Sequence, residues 1–326
     1  MNNKTRNEMI VGLLKEKPGF ISGPDIAHAL GITRAAVWKR IALLKKSGYV
    51  IETSYSKGYR LIQAPDLSIE EIRNSLSNHQ IGKEIIFLDT TGSTNTVASE
   101  LAMKGCTEGT VIIADEQTGG RGRRGRAWIS PAGKNLYMSI ILKPDISPRD
   151  ATMLTLMSAV SCASAVKKLS TIPVSIKWPN DIMVSDRKLG GILTEIKTDM
   201  DRISYSIIGI GMNINLDIDD LPHDIRPIAT SIKHETGVSQ SRTQFAVEIL
   251  REIGKWYSAL LTSGKDRIIK EWLQLSSTIG RSVKVTAGDA IFTGTAEGID
   301  DEGILLLRLQ DNSIKKISAG DVTILR

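Results

Sequence analysis

Residues 119–128 read GGRGRRGRAW, which puts Arg121, Arg123, Arg124 and Arg126 within six positions, interleaved with Gly120, Gly122 and Gly125. Guanidinium groups are planar donors that match carboxylate and phosphate oxygens. The glycines let backbone N–H groups approach the same oxygens. Without a ligand such a loop repels itself and is expected to be mobile; an anion orders it. Gripping an anionic ligand under a lid is therefore the expected chemistry. Two simpler readings compete. The spelling Gly120-x-Gly122-x-x-Gly125 matches a dinucleotide-binding turn, but that turn needs a strand directly before it and a helix directly after. Polar residues 115–118 separate the loop from the strand-like TVIIA of 110–114, and the stretch after the loop carries Pro131 and then reads as another strand. A solvated basic patch, or a nucleic-acid contact, is the other reading of an arginine run.

Further polar groups recur at the ends of apolar runs. Ser93, Thr94 and Asn95 stand between a strand-like and a helix-like segment, where plain helix capping would also explain them. Lys177-Trp178-Pro179-Asn180-Asp181 makes a turn between two strand-like runs, with Lys177 and Asp181 on its flanks. Lys188 leads through Gly190 and Gly191 into a strand, and a later strand ends in GIGMNIN with Asn213. Each piece alone reads as turn chemistry or surface charge. Repeated lysines and amides at strand ends are what ligand-binding groups look like.

The elements that position these groups are read from pattern. At 326 residues the chain is long enough for two or three domains with a sizeable core. The beginning, MNNKTRNE, is polar with no apolar run behind it, so no secretory leader, no membrane span and a cytoplasmic location are expected. Two cysteines without metal-like spacing and four scattered histidines make a resident metal site unexpected. Charge is unevenly spread: residues 1–63 hold 11 Lys/Arg against 4 Asp/Glu, whereas the other 263 residues hold 31 against 32. A nucleic-acid module joined to a nearly neutral body is implied.

Within residues 1–63 the spacing predicts a helix over 7–17, a second capped by Ser22 and closed by Gly31, and a third capped by Thr33 and closed by Gly48. Two short strands come next, 49–53 and 59–62, joined through Lys57. This is a winged helix-turn-helix. Val37, Ile41 and Leu44 share the core face of the third helix, leaving Ala35, Trp38 and Lys39 outward with Arg34 and Lys45 on the flank. With Ser22 and Lys57 these are the candidate DNA contacts. A winged helix that docks only protein is the alternative, and the excess positive charge favours DNA.

Residues 64–83 are a linker with a helix opened by the capping box Ser68-x-x-Glu71 and running to about 77. Residues 84–275 alternate strands (84–88, 110–114, 136–142, 174–178, 203–211) with helices (96–104, 151–169, 244–261, 266–275), an α/β body on a mixed sheet. Residues 276–326 give five short strands between Gly and Asp turns, which predicts a small barrel. The fold class is thus α+β.

Ser93-Thr94-Asn95, GRGRRGRAW, KWPNDI, KLGGIL and GIGMNIN in this order resemble biotin protein ligases. With the winged helix in front, the chain resembles their bifunctional bacterial form, which also represses the biotin operon. The resemblance spans nearly the whole chain and adds an SH3-like C-terminal domain. It implies that biotin and ATP form biotinyl-5′-adenylate, from which biotin passes to a lysine of the biotin carboxyl carrier protein of acetyl-CoA carboxylase. It implies Lys188 as central cation, with Arg121 and Arg123 closing over the intermediate and Gly122 offering its N–H. Ser93, Thr94, Asn95 and Gln117 would take or flank the ureido end of biotin. Lys177, Asn180 and Asp181 would serve the triphosphate and its Mg²⁺, and Asn213 the adenine. The adenylate-bound form is expected to bind operator DNA as a homodimer. A regulator that only senses a small molecule, and a lipoate ligase or other acyl-adenylate enzyme, are the alternative functions.

Overall fold

The computed structural model describes residues 6–46, 48–199 and 201–325 and falls into two compact units, 1–75 and 76–326. The first five residues, part of the polar N-terminal stretch, lie outside the described ones.

The first unit contains α1 (Arg6–Glu16), α2 (Gly23–Leu30), α3 (Arg34–Lys46), β1 (Val50–Ser54), β2 (Gly58–Gln63) and α4 (Ile69–Ser75). The caps expected from sequence are made. Ser22 Oγ accepts from Asp25 N at 3.2 Å, Thr33 Oγ1 accepts from Ala36 N at 3.2 Å, and Gly31 closes α2 at φ 61°. Ile10, Leu14, Ile26, Val37, Ile41 and Leu44 form the core. Strands β1 and β2 make the antiparallel wing. Ser68 Oγ caps α4 by accepting from Glu71 N at 3.3 Å, and the helix ends at Ser75, two residues sooner than expected. The Glu71 carboxylate receives Lys15 Nζ at 2.7 Å and the Tyr49 hydroxyl at 3.3 Å, which draws α4 onto this unit.

The second unit runs β3 (Ile85–Thr91), α5 (Thr94–Met103), β4 (Val111–Gln117), β5 (Leu136–Leu142), α6 (Thr152–Leu169), β6 (Val174–Lys177), β7 (Asp181–Val184), β8 (Arg187–Asp199), β9 (Arg202–Met212), α7 (Ile232–Thr236), α8 (Arg242–Ser263) and α9 (Asp266–Leu275). Seven strands form one mixed sheet in the order β3-β4-β5-β9-β8-β7-β6, with β3 and β4 parallel. Layers on both faces explain why every residue of β5, LYMSIIL, is buried. Helix α6 is apolar nearly all round because it lies between the sheet and helices α8 and α9. Ile268, Trp272 and Leu275 give α9 its buried stripe at helical spacing.

One expectation is corrected here. Residues 115–117, read as a polar spacer, continue β4, because Thr90↔Glu116 and Thr91↔Gln117 pair in register with β3. Ladder hydrogen bonds outweigh the side-chain polarity. The chain ends in β10 (Ser282–Ala287), β11 (Ala290–Ile299), β12 (Leu305–Arg308), β13 (Ile314–Ile317) and β14 (Asp321–Ile324), an antiparallel sheet ordered β13-β12-β11-β10-β14. Among the described residues no ladder joins β13 to β14, so the five expected strands are present but the barrel is not closed by pairing.

Candidate active site

A cavity of about 460 Å³ opens on one face of the large sheet, a size suited to a small molecule. Strand register decides the face. Gly191↔Gly211 and Leu193↔Gly209 pair across β8 and β9, so these four residues look into the cavity. The next residue over, Thr194, looks the other way and meets Thr155 of α6 at 2.7 Å. The N-terminus of α5, the end of β4, the arginine loop and the β6–β7 turn complete the walls.

One end of the cavity is cationic. Lys188 Nζ lies 2.6 Å from Asp181 Oδ1 and Lys177 Nζ 3.3 Å from Asp181 Oδ2, so both lysines converge on one carboxylate. The β6–β7 hairpin does this by pairing Lys177 with Asp181, while β7 pairs with the start of β8. Arg123 Nη1 donates to Asn180 Oδ1 at 3.0 Å, and Asn180 Nδ2 donates to Ile192 O at 2.8 Å. Burial pushes the Arg123 guanidinium below its ordinary value while Asp321 and Asp181 pull it back up. It stays charged, as arginine does in proteins. Lysines 177 and 188 with arginines 121, 123 and 126 outnumber the lining carboxylates of Asp181, Asp186 and Asp321. A polyanion is the complementary occupant.

The arginines of the loop have partners within the protein. Arg124 and Arg126 both reach Asp321 of β14, at 3.3 and 2.5 Å, and Arg121 Nη2 donates to Thr96 Oγ1 at 2.8 Å. One carboxylate from the C-terminal sheet thus relieves the self-repulsion of the run. Gly122 lines the cavity, but its N–H donates to Arg126 O at 2.7 Å and closes the loop's own turn.

The other end is neutral and built from amides and hydroxyls. Ser93 is the N-cap of α5 by backbone geometry yet makes no side-chain cap bond, so capping does not account for its hydroxyl. Gln117 Oε1 accepts from Thr94 N at 2.9 Å and lies 3.1 Å from Thr94 Oγ1. Asn95 Nδ2 donates to Glu195 Oε2 at 2.6 Å and to Leu193 O at 3.3 Å. Asn213, expected at the adenine, lines the cavity, but its side chain bonds Thr230 O at 3.0 Å and Asn135 Nδ2 at 3.3 Å. The structure therefore gathers Ser93, Thr94, Asn95, Gln117, Arg121, Gly122, Arg123, Lys177, Asn180, Asp181, Lys188 and Asn213 around one cavity.

Sequence reasoning missed Trp128, Ser139, Glu195 and the apolar wall of Leu216, Leu221, Ile225 and Ile228. Trp128 lies under Lys188, whose ammonium is 5.4 Å from the ring centroid. Its buried Nε1 lies against Gly211 and has no hydrogen-bond partner among the described residues. The signal lay in the glycines. A Cβ on Gly211 would sit 2.5 Å from Trp128 Nε1, and one on Gly191 3.2 Å from Lys188 Nζ. Gly191 and Gly211 leave the room in which Trp128 and Lys188 lie on the sheet, while Gly209 leaves room for Asn95 and Gly190 for Met212.

In the first unit, Arg34, Ala35, Trp38, Lys39, Lys45 and Lys57 are exposed and Ser22 is half-buried at the α2 cap. Trp38 is 63% exposed, far more than a tryptophan serving a core. Lys45 Nζ donates to Thr53 Oγ1 of the wing at 3.0 Å.

Comparison with known proteins agrees with this geometry. Residues 87–213 match the biotin/lipoate A/B protein ligase family, 278–325 the biotin protein ligase C-terminal domain, and 6–60 an HTH domain. The chain is 40% identical over 323 residues to the bifunctional ligase/repressor BirA of Bacillus subtilis, covering 99% of both chains. It is 32% identical over 313 residues to BirA of Escherichia coli, covering 94% of this chain and 93% of that one. The biotin protein ligase of Aquifex aeolicus in complex with biotin and ATP superposes with a TM-score of 0.65 at 29% identity, over 75% of this chain and 99% of that chain. A cavity rich in lysines and arginines on a mixed sheet, in a chain that opens with a winged helix and has these relatives, places the protein in the biotin protein ligase family, in its bifunctional ligase/repressor branch.

Proposed function

We propose that the chain couples biotin to ATP and transfers biotin to a lysine of a biotin carboxyl carrier protein. The observation that carries this is Lys188 and Lys177 converging on Asp181 beside Arg123, at the cationic end of a cavity whose other end is neutral. A biotin carboxylate oxygen attacks the α-phosphorus of ATP, the bond to the pyrophosphate oxygen breaks, and biotinyl-5′-adenylate and pyrophosphate result. Two anions must meet, so fixed positive charge lowers the barrier. Lys188 serves there, with Arg121 and Arg123 over the intermediate. The carrier's lysine amine then attacks the acyl carbon, loses a proton, and AMP leaves.

Lys177, Asn180 and Asp181 take the triphosphate. No cluster of three His, Cys, Asp or Glu able to cage a metal occurs among the described residues, and Asp181 is one carboxylate already facing two lysines. Asp181 would be the carboxylate to hold a Mg²⁺ that came with the triphosphate, and such an ion would supply neutralisation of phosphate charge. The neutral end formed by Ser93, Thr94, Asn95 and Gln117 takes the ureido group, and Asn213 borders the adenine. The C-terminal sheet is read as an SH3-like domain that holds the loop through Asp321. No helix among the described residues is long and apolar enough to cross a membrane, in keeping with a cytoplasmic enzyme.

The adenylate-bound form is read as a homodimer that represses the biotin operon. A winged helix covers one half-site, so a two-fold dimer is needed for firm operator binding. The test has two arms: pyrophosphate release with ATP and either biotin or lipoate, and operator affinity at one salt concentration without ligand, with biotin, and with biotin plus ATP. Biotin-dependent release with tighter operator binding in the last condition is expected. Release with lipoate alone, or none, refutes the ligase reading, and equal operator affinities refute the coupling.

A further inference from the structure

Asn213 lines the cavity just past the end of β9, and its side-chain amide is held in one orientation by two neighbours. Its Nδ2 donates to Thr230 O at 3.0 Å, and its Oδ1 accepts from Asn135 Nδ2 at 3.3 Å. Strands β5 and β9 bring the two asparagines together by pairing Leu136 with Met212. A carbonyl such as Thr230 O has nothing to donate, so it requires the nitrogen of Asn213. Asn135 requires the oxygen because its own amide is fixed in turn. Its Oδ1 accepts from Ile214 N at 3.0 Å, a group that only donates, and this directs its Nδ2 to Asn213. The backbone around the pair is also tied: Asn213 N donates to Leu189 O and Thr230 N to Lys188 O, both at 2.9 Å. Asn135 and Thr230 are fully buried.

A primary amide carries two N–H donors and two acceptor lone pairs. These contacts use one of each, so Asn213 keeps one N–H and one lone pair without a partner among the described residues. A donor and an acceptor side by side complement an adenine edge, on which the N6 amino group donates and a ring nitrogen accepts. Guanine in the same place puts its O6 acceptor where adenine has the amino group. O6 would then face Asn213 Oδ1, acceptor against acceptor. A reversed amide would meet O6 with Nδ2 instead. The direction in which Asn213 is held therefore decides the base.

We infer that Asn135 is a positioning residue for nucleotide specificity, holding the Asn213 amide in the orientation that admits an adenine nucleotide and rejects a guanine one. The inference rests on the assignment of Asn213 to the adenine and adds the residue that enforces the choice. Asn135 does not line the cavity and acts through Asn213. An aspartate in its place would still accept from Ile214 N but would offer Asn213 only acceptors. Asn213 Nδ2 would be drawn to that carboxylate by a charge-assisted bond, stronger than its neutral bond to Thr230 O, and the amide would turn over.

The experiment measures biotin-dependent pyrophosphate release by the full-length protein with ATP and with GTP, for wild type, Asn135→Asp, Asn135→Ser and Asn213→Ala, with a thermal melt of each. Asn135→Asp is expected to lower the ratio of kcat/KM for ATP to that for GTP about tenfold, within the range that one two-point base contact discriminates. The KM for biotin should stay within about twofold of wild type. Asn135→Ser is smaller and uncharged, and its hydroxyl can donate or accept, so it enforces neither orientation. It should lower the ratio by a smaller factor, and it decides the matter if the aspartate variant does not fold. Asn213→Ala tests the underlying assignment: an unchanged ratio there removes the adenine reading and the inference with it. A lowered ratio for Asn213→Ala beside a wild-type ratio in the folded Asn135 variants overturns the inference alone. Equal losses with ATP and GTP in those variants overturn it too, since they mark a residue that only supports the fold.

Discussion

Gly211→Ala should cost the enzyme far more than one methyl group suggests. The added Cβ would meet Trp128 Nε1 at 2.5 Å, Cε2 at 2.6 Å and Cζ2 at 3.0 Å. Comfortable carbon contacts begin near 3.5 Å, so the indole must move by roughly 1 Å. Backbone relief is closed off because Gly211 pairs with Gly191 on one side and Tyr137 on the other. Forced overpacking of this kind costs about 1–3 kcal/mol, and each kcal/mol lowers the melting temperature of a unit this size by about 2–4 °C. Activity should suffer more. Lys188 rides on the displaced ring with its ammonium 5.4 Å from the centroid. Misplacing a reacting group by about 1 Å can cost on the order of a hundredfold. We therefore expect kcat/KM for biotin to fall about 10- to 100-fold while the protein stays folded at 25 °C. Pyrophosphate release and a thermal melt measure the two effects. Gly254→Ala is the control, since its Cβ would meet only Ile81 at 3.7 Å, an ordinary contact. Wild-type kcat/KM in Gly211→Ala would refute the view that Trp128 and Lys188 are positioned together by this glycine.

Gly254→Ala should itself raise stability by about 0.5–1 kcal/mol, because a glycine inside helix α8 costs that much relative to alanine; urea midpoints check this. Lys188→Ala should cut adenylate formation about a hundredfold or more through loss of one preorganised charge, and near-normal pyrophosphate release would exclude the assigned role. Removing residues 1–75 should abolish operator binding and leave carrier biotinylation at least partly intact, since the second unit is compact by itself; a folded truncation that makes no adenylate would mean the first unit contributes to the active site. Burial works against ionised Glu252, but Lys168 at 2.6 Å and Lys255 at 3.1 Å outweigh it and hold the carboxyl below its usual range. Its stabilisation is therefore present above the unfolded carboxylate value and fades as pH falls below about 4. Glu252→Gln should lose about 1–3 kcal/mol at neutral pH, and melts across pH should show the gap to wild type closing on acidification.

Local rules made much of this protein legible before any coordinates. Ser22, Gly31 and Thr33 bound the helices of the winged helix because capping involves only near neighbours in sequence. The positive excess before residue 64, the arginine loop and the order of the motifs around it are likewise properties of the string. The features that stayed hidden depend on groups far apart in the chain. Asp321 quenches two loop arginines from almost 200 positions away, and Glu195 reaches Asn95 across 100. Residues 115–117 looked like a polar spacer until pairing with β3 made them strand. The glycines of KLGGIL and GIGMN could be seen at once, but not what needed the room. Side-chain volume over a glycine is set by the partner strand and by the loop folded across it. Sequence alone therefore named the polar groups of the site and the ligand class they suit. Tertiary structure decided which of them remain open to a ligand and which are bonded to the protein, because a hydrogen bond is spent on whatever the fold brings within about 3 Å.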